Sequence, residues 1–169
     1  TLAFQVLSSL NNNKRLTASK RLKIIQIISF AAGYKGMIEG QMRDIHFEGT
    51  VLSQADLERL HRLKTGRLIE VSASAGACLA GASPDQQRAL ETYAHHIGLA
   101  FQVKDDILNV EGDPKLLGKG VGTDKLRKKT TYPSIMGLEQ SKLFAIELVN
   151  RALFALASFD NRSEPLRAI

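Results

Sequence analysis

Residues 83–112 read SPDQQRALETYAHHIGLAFQVKDDILNVEG, and this run constrains the chain more than any other. Ser83 is a helix-capping residue type, Pro84 suits a first helical position that needs no amide hydrogen, and Asp85 lies near the positive end of the helix dipole. Leu90, Tyr93, Ile97, Phe101 and Leu108 then form a stripe at helical spacing, and Gly112 ends the run. A helix of this length, about 42 Å at 1.5 Å per residue, cannot bury such a stripe alone. It needs neighbours, and the remaining sequence offers helices.

The first ten residues, TLAFQVLSSL, place Leu2, Val6 and Leu10 at helical spacing, and Asn11 to Asn13 form a turn. Thr17 or Ser19 can cap a second helix with the stripe Leu22, Ile25, Ile28 and Ala32, continuing to about His46. Gly33, Gly36 and Gly40 recur along it. Each glycine costs a helix up to about 1 kcal/mol relative to alanine, so close approach of another element to one side is expected there. Ser53, with Asp56 three residues on, opens a third helix that runs with Leu57, Leu60, Leu63, Leu68 and Val71 facing inward until Gly81. Thr131 and Pro133 begin a last helical region, broken near Gly137 or recapped at Ser141, that reaches about Phe159; the ending NRSEPLRAI looks ragged. No alternating strand pattern competes, so the fold class is all-α: one domain, an antiparallel helix bundle.

Charge is the next constraint. The chain carries a formal net charge of +6, and Lys115, Lys119, Lys125, Arg127, Lys128 and Lys129 crowd one segment against the single acid Asp124. The basicity therefore sits just beyond the carboxylates of Asp105 and Asp106. An anionic partner is implied, but aromatic residues do not interleave with the positive charge as in nucleic-acid binders. No apolar run approaches the ~18 residues of a membrane span. A single cysteine, Cys78, excludes an internal disulfide framework; with no secretory signal pattern, the cytoplasm is the simplest compartment.

On the long helix, Gln102, Asp105 and Asn109 share a face, with Asp106 one step round. Adjacent carboxylates repel, and a cation relieves them; oxygen ligands without histidine or thiolate favour Mg²⁺, which takes one or two carboxylates and leaves room for water and phosphate. Beyond them, GDPKLLGKGVGTD is a glycine-rich basic loop with Lys119 flanked by glycines, resembling a lid over a charged substrate. Lys64, next to Thr65 and Gly66, and Gly40-Gln41 with Asp44 one turn on are weaker candidates. His61, His95 and His96 lack metal-ligand spacing and read as surface or satisfied core histidines.

Taken in order, GMIEGQMRD, HRLKTGRLI, FQVKDDILNVEGDPKLLGKGVGTD and KKTTYP resemble the short-chain trans-isoprenyl diphosphate synthases, above all their bacterial farnesyl diphosphate branch. The resemblance implies an isoprenoid-synthase helix bundle with Mg²⁺ at the mouth of an apolar cavity. It implies that isopentenyl diphosphate is condensed there with an allylic diphosphate, and that the assembly is a homodimer. Asp105 would ligate metal directly and Asp106 would support it; Lys64, Lys119 and Lys129 would bind the allylic diphosphate; Thr65, Gln41 and Gln102 would line its pocket, with Asp124 bracing the lysine loop.

By the same resemblance, residues 1–169 form the C-terminal part of a single synthase domain whose first aspartate-rich motif would precede Thr1, and the chain alone is expected to be inactive. Geranylgeranyl or longer-chain synthesis is one alternative; a non-catalytic partner that regulates a full-length synthase is another. Three residues depart from the family pattern: Asn109 replaces an aspartate, Glu39 stands where glycine is common, and Arg43 where an apolar residue is common.

Overall fold

The structure, a computed structural model, describes residues 2–9, 16–112, 124 and 128–169. Among these the regular structure is helical throughout: α1 (Leu2–Ser9), α2 (Ala18–Ala32), α3 (Met37–His46), α4 (Gln54–His61), a π-helical turn (Arg62–Gly66), α5 (Arg67–Ala80), α6 (Pro84–Glu111), α7 (Tyr132–Met136), α8 (Leu138–Ala155), a 3-10 turn (Asn161–Ser163) and α9 (Glu164–Arg167). The start signals act as the sequence implies. Thr17, Ser53, Ser83 and Thr131 each accept a backbone amide from three residues on, and at Ser83 and Thr131 the third residue returns the bond. These caps satisfy donors that every helix leaves open at its first turn.

The long helix α6 is the common frame. It lies against α8 on one side and α5 on another, with α2 behind α5 and α3 against the π turn. Val103, Ile107, Tyr132 and Leu148 are fully or almost fully buried where α6, α7 and α8 meet, and Tyr93, Ala94, Ala152 and Leu156 form a second cluster toward the other end. Each large apolar side chain buried in this way stabilises the fold by about 2 kcal/mol. No described helix is long and apolar enough to cross a membrane.

Four expectations change. The helix expected to run unbroken to His46 stops at Ala32, because the backbone leaves helical geometry at Gly33–Gly36 in a tight local turn; a Cβ at Gly33 would meet the Ser29 carbonyl oxygen at 2.7 Å and one at Gly36 the Ala31 oxygen at 2.1 Å. The third helix keeps its direction but widens into a π turn at Arg62–Gly66. Large apolar residues do not mark the inward faces everywhere: Leu22 is 66% exposed and Phe101 59%, whereas Gly98 and Ala100 of α6 are buried. At Gly98 the small residue lets the helix lie close against Gly66, where a Cβ would fall 3.2 Å from its Cα. The ending is docked rather than ragged. The Arg167 guanidinium donates to the carbonyls of Leu156 and Phe159, and the Tyr93 hydroxyl donates to the Leu166 carbonyl at 2.6 Å.

Gly40 meets the expectation of close approach. A Cβ there would fall 2.2 Å from the Lys64 amide nitrogen and 2.5 Å from the Lys64 Cα, so α3 touches the π turn backbone to backbone. Across the bundle, Glu70 of α5 ties three elements together. It accepts from Arg62 Nε at 2.9 Å and Arg67 at 3.1 Å, and lies 3.1 Å from His95 Nδ1 on α6. Burial is the largest single influence and pushes the Glu70 carboxyl up, but His95, Arg62 and Arg67 together outweigh it and hold it at about 2, below its ordinary 4.5.

Two outcomes follow for stability. Gly40→Ala is expected to cost about 3 kcal/mol, because neither backbone can retreat, whereas Gly76→Ala, with open space around its Cβ, is expected to stabilise by about 0.5 kcal/mol; urea unfolding of both variants reads the contrast. The depressed Glu70 carboxyl contributes stability that is present above about pH 4.5 and lost as pH falls toward 2. Allowing for the half-exposed Arg62, that contribution is roughly 2 kcal/mol. Glu70→Gln is therefore expected to be weaker than the native protein at pH 7 and to show a flatter loss of stability between pH 4.5 and 2.

Candidate functional site

The site is built around the π turn. Inserting one residue per turn widens the helix at Arg62–Gly66, a distortion that recurs at functional sites. Gly66 faces Gly98 of α6, where a Cβ would meet the Gly66 Cα at 3.2 Å, while the opposite side of the turn lies against Gly40. Lys64 is thereby fixed at the backbone, and its ammonium donates to Asp44 Oδ2 at 2.7 Å. The same oxygen accepts from the Lys129 ammonium at 2.8 Å.

Lys129 reaches this point through a braced segment. Lys128 adopts a left-handed backbone, φ 50°, just before it. The Lys129 amide donates to the Asp124 carbonyl at 2.9 Å. Thr130 Oγ1 accepts from the Leu52 amide at 3.0 Å and donates to the Thr50 carbonyl at 2.9 Å. Between the two lysines the Asp44 carboxyl is held below its ordinary range: burial, the largest influence, raises it, but the hydrogen bonds and charges of Lys129 and Lys64 together prevail.

Asp44, Lys64, Gln102, Asp105, Asp106 and Lys129 line one cleft of about 80 Å³. The two adjacent carboxylates have different surroundings. Asp106 is 6% exposed, and its Oδ2 accepts the buried Tyr132 amide at 2.9 Å. Asp105 is half-buried and lines the cleft. Among the described residues no group of three or more acid, histidine or cysteine side chains forms a closed metal cage. The pair supplies hard carboxylate oxygens beside an open cleft, a donor set that fits a divalent cation completing its shell with water and phosphate oxygens.

Seven of the candidates named from sequence thus come together: Asp44, Lys64, Gln102, Asp105, Asp106, Asp124 and Lys129. Thr65 is half-buried in the π turn without lining the cleft, and Gln41 is exposed on α3, one turn before Asp44. Lys119 lies outside the described residues. Asp124 braces the lysine segment through its backbone, and its amide donates to Asn109 Oδ1 at 3.4 Å.

The other departures from the family pattern account for each other: the Arg43 guanidinium donates to Glu39 Oε1, one helical turn away, at 2.7 Å. His61 differs from expectation. It is 8% exposed and stacked on Tyr132, with Nε2 3.7 Å from Asp106 Oδ2, and neither ring nitrogen makes a hydrogen bond among the described residues. It is a core histidine, but not a satisfied one. Asp44 is the group that sequence reasoning underweighted. Its signal was its place four residues after Gly40, on the face where another backbone approaches.

A family model described as Polyprenyl synthetase matches residues 1–153. The chain belongs to the polyprenyl synthetase family. It is 42% identical over 156 residues to the farnesyl diphosphate synthase of Geobacillus stearothermophilus, covering 90% of this chain and 52% of that protein. It is 41% identical over 167 residues to the farnesyl diphosphate synthase of Escherichia coli, covering 96% and 54%. In structure it is similar to a geranyltransferase from Helicobacter pylori solved with magnesium and isoprenyl diphosphate, with a TM-score of 0.81 at 32% identity, covering 99% of this chain and 54% of that one. The chain therefore spans about half the length of these family members, and the shared fold is the all-α bundle described above.

The Asp106 contact yields a direct outcome. Removing its acceptor leaves the buried Tyr132 amide unpaired, so Asp106→Ala is expected to cost about 2 kcal/mol. Asp106→Asn, which keeps an acceptor oxygen, is expected to cost less than half of that. Urea unfolding together with hydrogen exchange at the Tyr132 amide distinguishes the two variants.

Proposed function

We propose that this chain carries diphosphate- and metal-binding residues of a prenyltransferase that condenses isopentenyl diphosphate with dimethylallyl or geranyl diphosphate to give farnesyl diphosphate. The observation that carries the reading is the convergence, in one cleft, of the lysine pair Lys64 and Lys129 with the carboxylates Asp105 and Asp106. A cleft with cations on one wall and carboxylates on the other suits a diphosphate shared between ammonium groups and a metal ion. Relatives named farnesyl diphosphate synthase, at about two-fifths identity, support the same reading.

In this reading Asp105, with Asp106 behind it, holds Mg²⁺. When bound, the metal supplies electrostatic stabilisation of diphosphate as its charge develops. Lys64 and Lys129 bind the allylic diphosphate through charge-assisted hydrogen bonds and take up the charge that grows as the allylic carbon–oxygen bond breaks heterolytically. The double bond of isopentenyl diphosphate then donates its electron pair to the allylic cation, a new carbon–carbon bond forms, and a proton leaves. Gln102 lines the cleft from the face of α6 that carries Asp105. Lys119, Thr65 and Gln41 complete the proposed substrate set by resemblance, and a homodimer is the proposed assembly. Because the chain spans about half the length of its relatives, catalysis by these 169 residues alone is not expected.

Binding is therefore the sharper test. Titrating the chain with inorganic pyrophosphate in a calorimeter is expected to show Mg²⁺-dependent binding with a dissociation constant of roughly 1 mM. Lys64→Ala and Lys129→Ala should each weaken it about tenfold, and Asp105→Ala should abolish the Mg²⁺ dependence. Absence of Mg²⁺-dependent binding would overturn the reading. Product formation from geranyl and isopentenyl diphosphates by the 169 residues would overturn the expectation that they are inactive alone.

A further inference from the structure

Asp44 has a place in this cleft that the proposed chemistry leaves unexplained. Its single oxygen Oδ2 accepts from both Lys64 and Lys129, residues that reach it from separate parts of the chain. The Asp44 side chain is 15% exposed, and its helix is fixed against the π turn at Gly40. We propose that Asp44 is a positioning residue that holds the two ammonium groups together so that one diphosphate engages both. This rests on the function proposed above.

Lysine is a point charge on a flexible stem, and two ammonium groups brought together repel. Without a shared anion the pair would separate toward solvent. With Asp44 in place each ammonium commits one of its three protons to Oδ2 and keeps two. Those remaining protons can be shared by the terminal oxygens of a diphosphate, so the ligand need not displace Asp44.

Two physical effects oppose each other at this residue. Electrostatics alone says that a carboxylate beside the lysines weakens anion binding, so its removal should tighten it. Positioning says that removal frees two long side chains, which must be ordered again on binding, and so weakens it. The signs are opposite, and one measurement separates them.

The protein and its Asp44→Asn and Asp44→Glu variants would be titrated with inorganic pyrophosphate in the presence of Mg²⁺. The lysine ammonium signals would be followed by ¹⁵N NMR after assignment through Lys64→Ala and Lys129→Ala. The expected result is binding about tenfold weaker in Asp44→Asn with both ammonium signals lost to fast exchange, and recovery to within about threefold in Asp44→Glu. A purely structural role would not move the ammonium signals in a variant that remains folded by circular dichroism. Asp44→Ser, read in the same way, replaces Asp44→Asn if that variant does not fold. Unchanged or tighter binding without the carboxylate, or retention of both signals, overturns the positioning role alone. Failure of the native protein to bind pyrophosphate overturns the functional reading and this inference with it.

Discussion

At Gly40 two backbones meet with no room for a methyl group, and the geometry of the cleft depends on that contact. A side chain at this position would run into the amide of Lys64, so α3 can lie against the π turn only where the glycine is. Asp44 follows by four residues, one helical turn along the same face, which brings its carboxylate level with the Lys64 ammonium. Magnitudes indicate which feature leads. A partly exposed lysine–carboxylate pair contributes about 0–1 kcal/mol, less than the roughly 1–3 kcal/mol that overpacking at a rigid contact costs. The ion pair is therefore a consequence of the backbone contact, not its cause.

The opposite side of the same turn has the same character. Gly66 lies against Gly98 of α6, so the rod formed by α4, the π turn and α5 is held between two glycine contacts at its widest point. Farther along, Glu70 joins Arg62, Arg67 and His95 and fixes the same rod to α6. A π turn strains the regular helical ladder. Here it sits where close neighbours on both sides restrict how it can relax, and it aims Lys64 at α3.

Much of the fold was legible because its signals are local. Thr17, Ser53, Ser83 and Thr131 announce helix starts through hydroxyl geometry that depends on three or four residues, and Gly81 and Gly112 end helices where expected. What escaped depends on partners distant in sequence. Leu22 and Phe101 fit an apolar stripe by spacing, yet are exposed, because spacing does not say which positions of a stripe meet a neighbouring helix. The docked ending needs the Tyr93 hydroxyl, 73 residues from its acceptor. Lys64, Asp105 and Asp106 could be named from residue type and motif, but Asp44 gains significance only when Lys64 and Lys129 are both found on one oxygen, the latter 85 residues away.

The two carboxylates on α6 show how the acidic and basic walls of the cleft are coupled. Successive helical residues point about 100° apart, so Asp106 turns toward the core while Asp105 lines the cleft. A buried carboxylate without a donor would be costly; the Tyr132 amide supplies that donor. Tyr132 is three residues after Lys129, in the segment that Thr130 ties to residues 50 and 52. The segment that delivers the second lysine therefore also satisfies the buried acid. Three residues of extended chain span about 10 Å, which limits how far the Lys129 backbone can move from the Tyr132 amide while Asp106 keeps its hydrogen bond. Loosening Asp106 would free the lysine segment, and shifting that segment would leave a buried carboxylate without its donor, so neither wall can move far without a cost at the other.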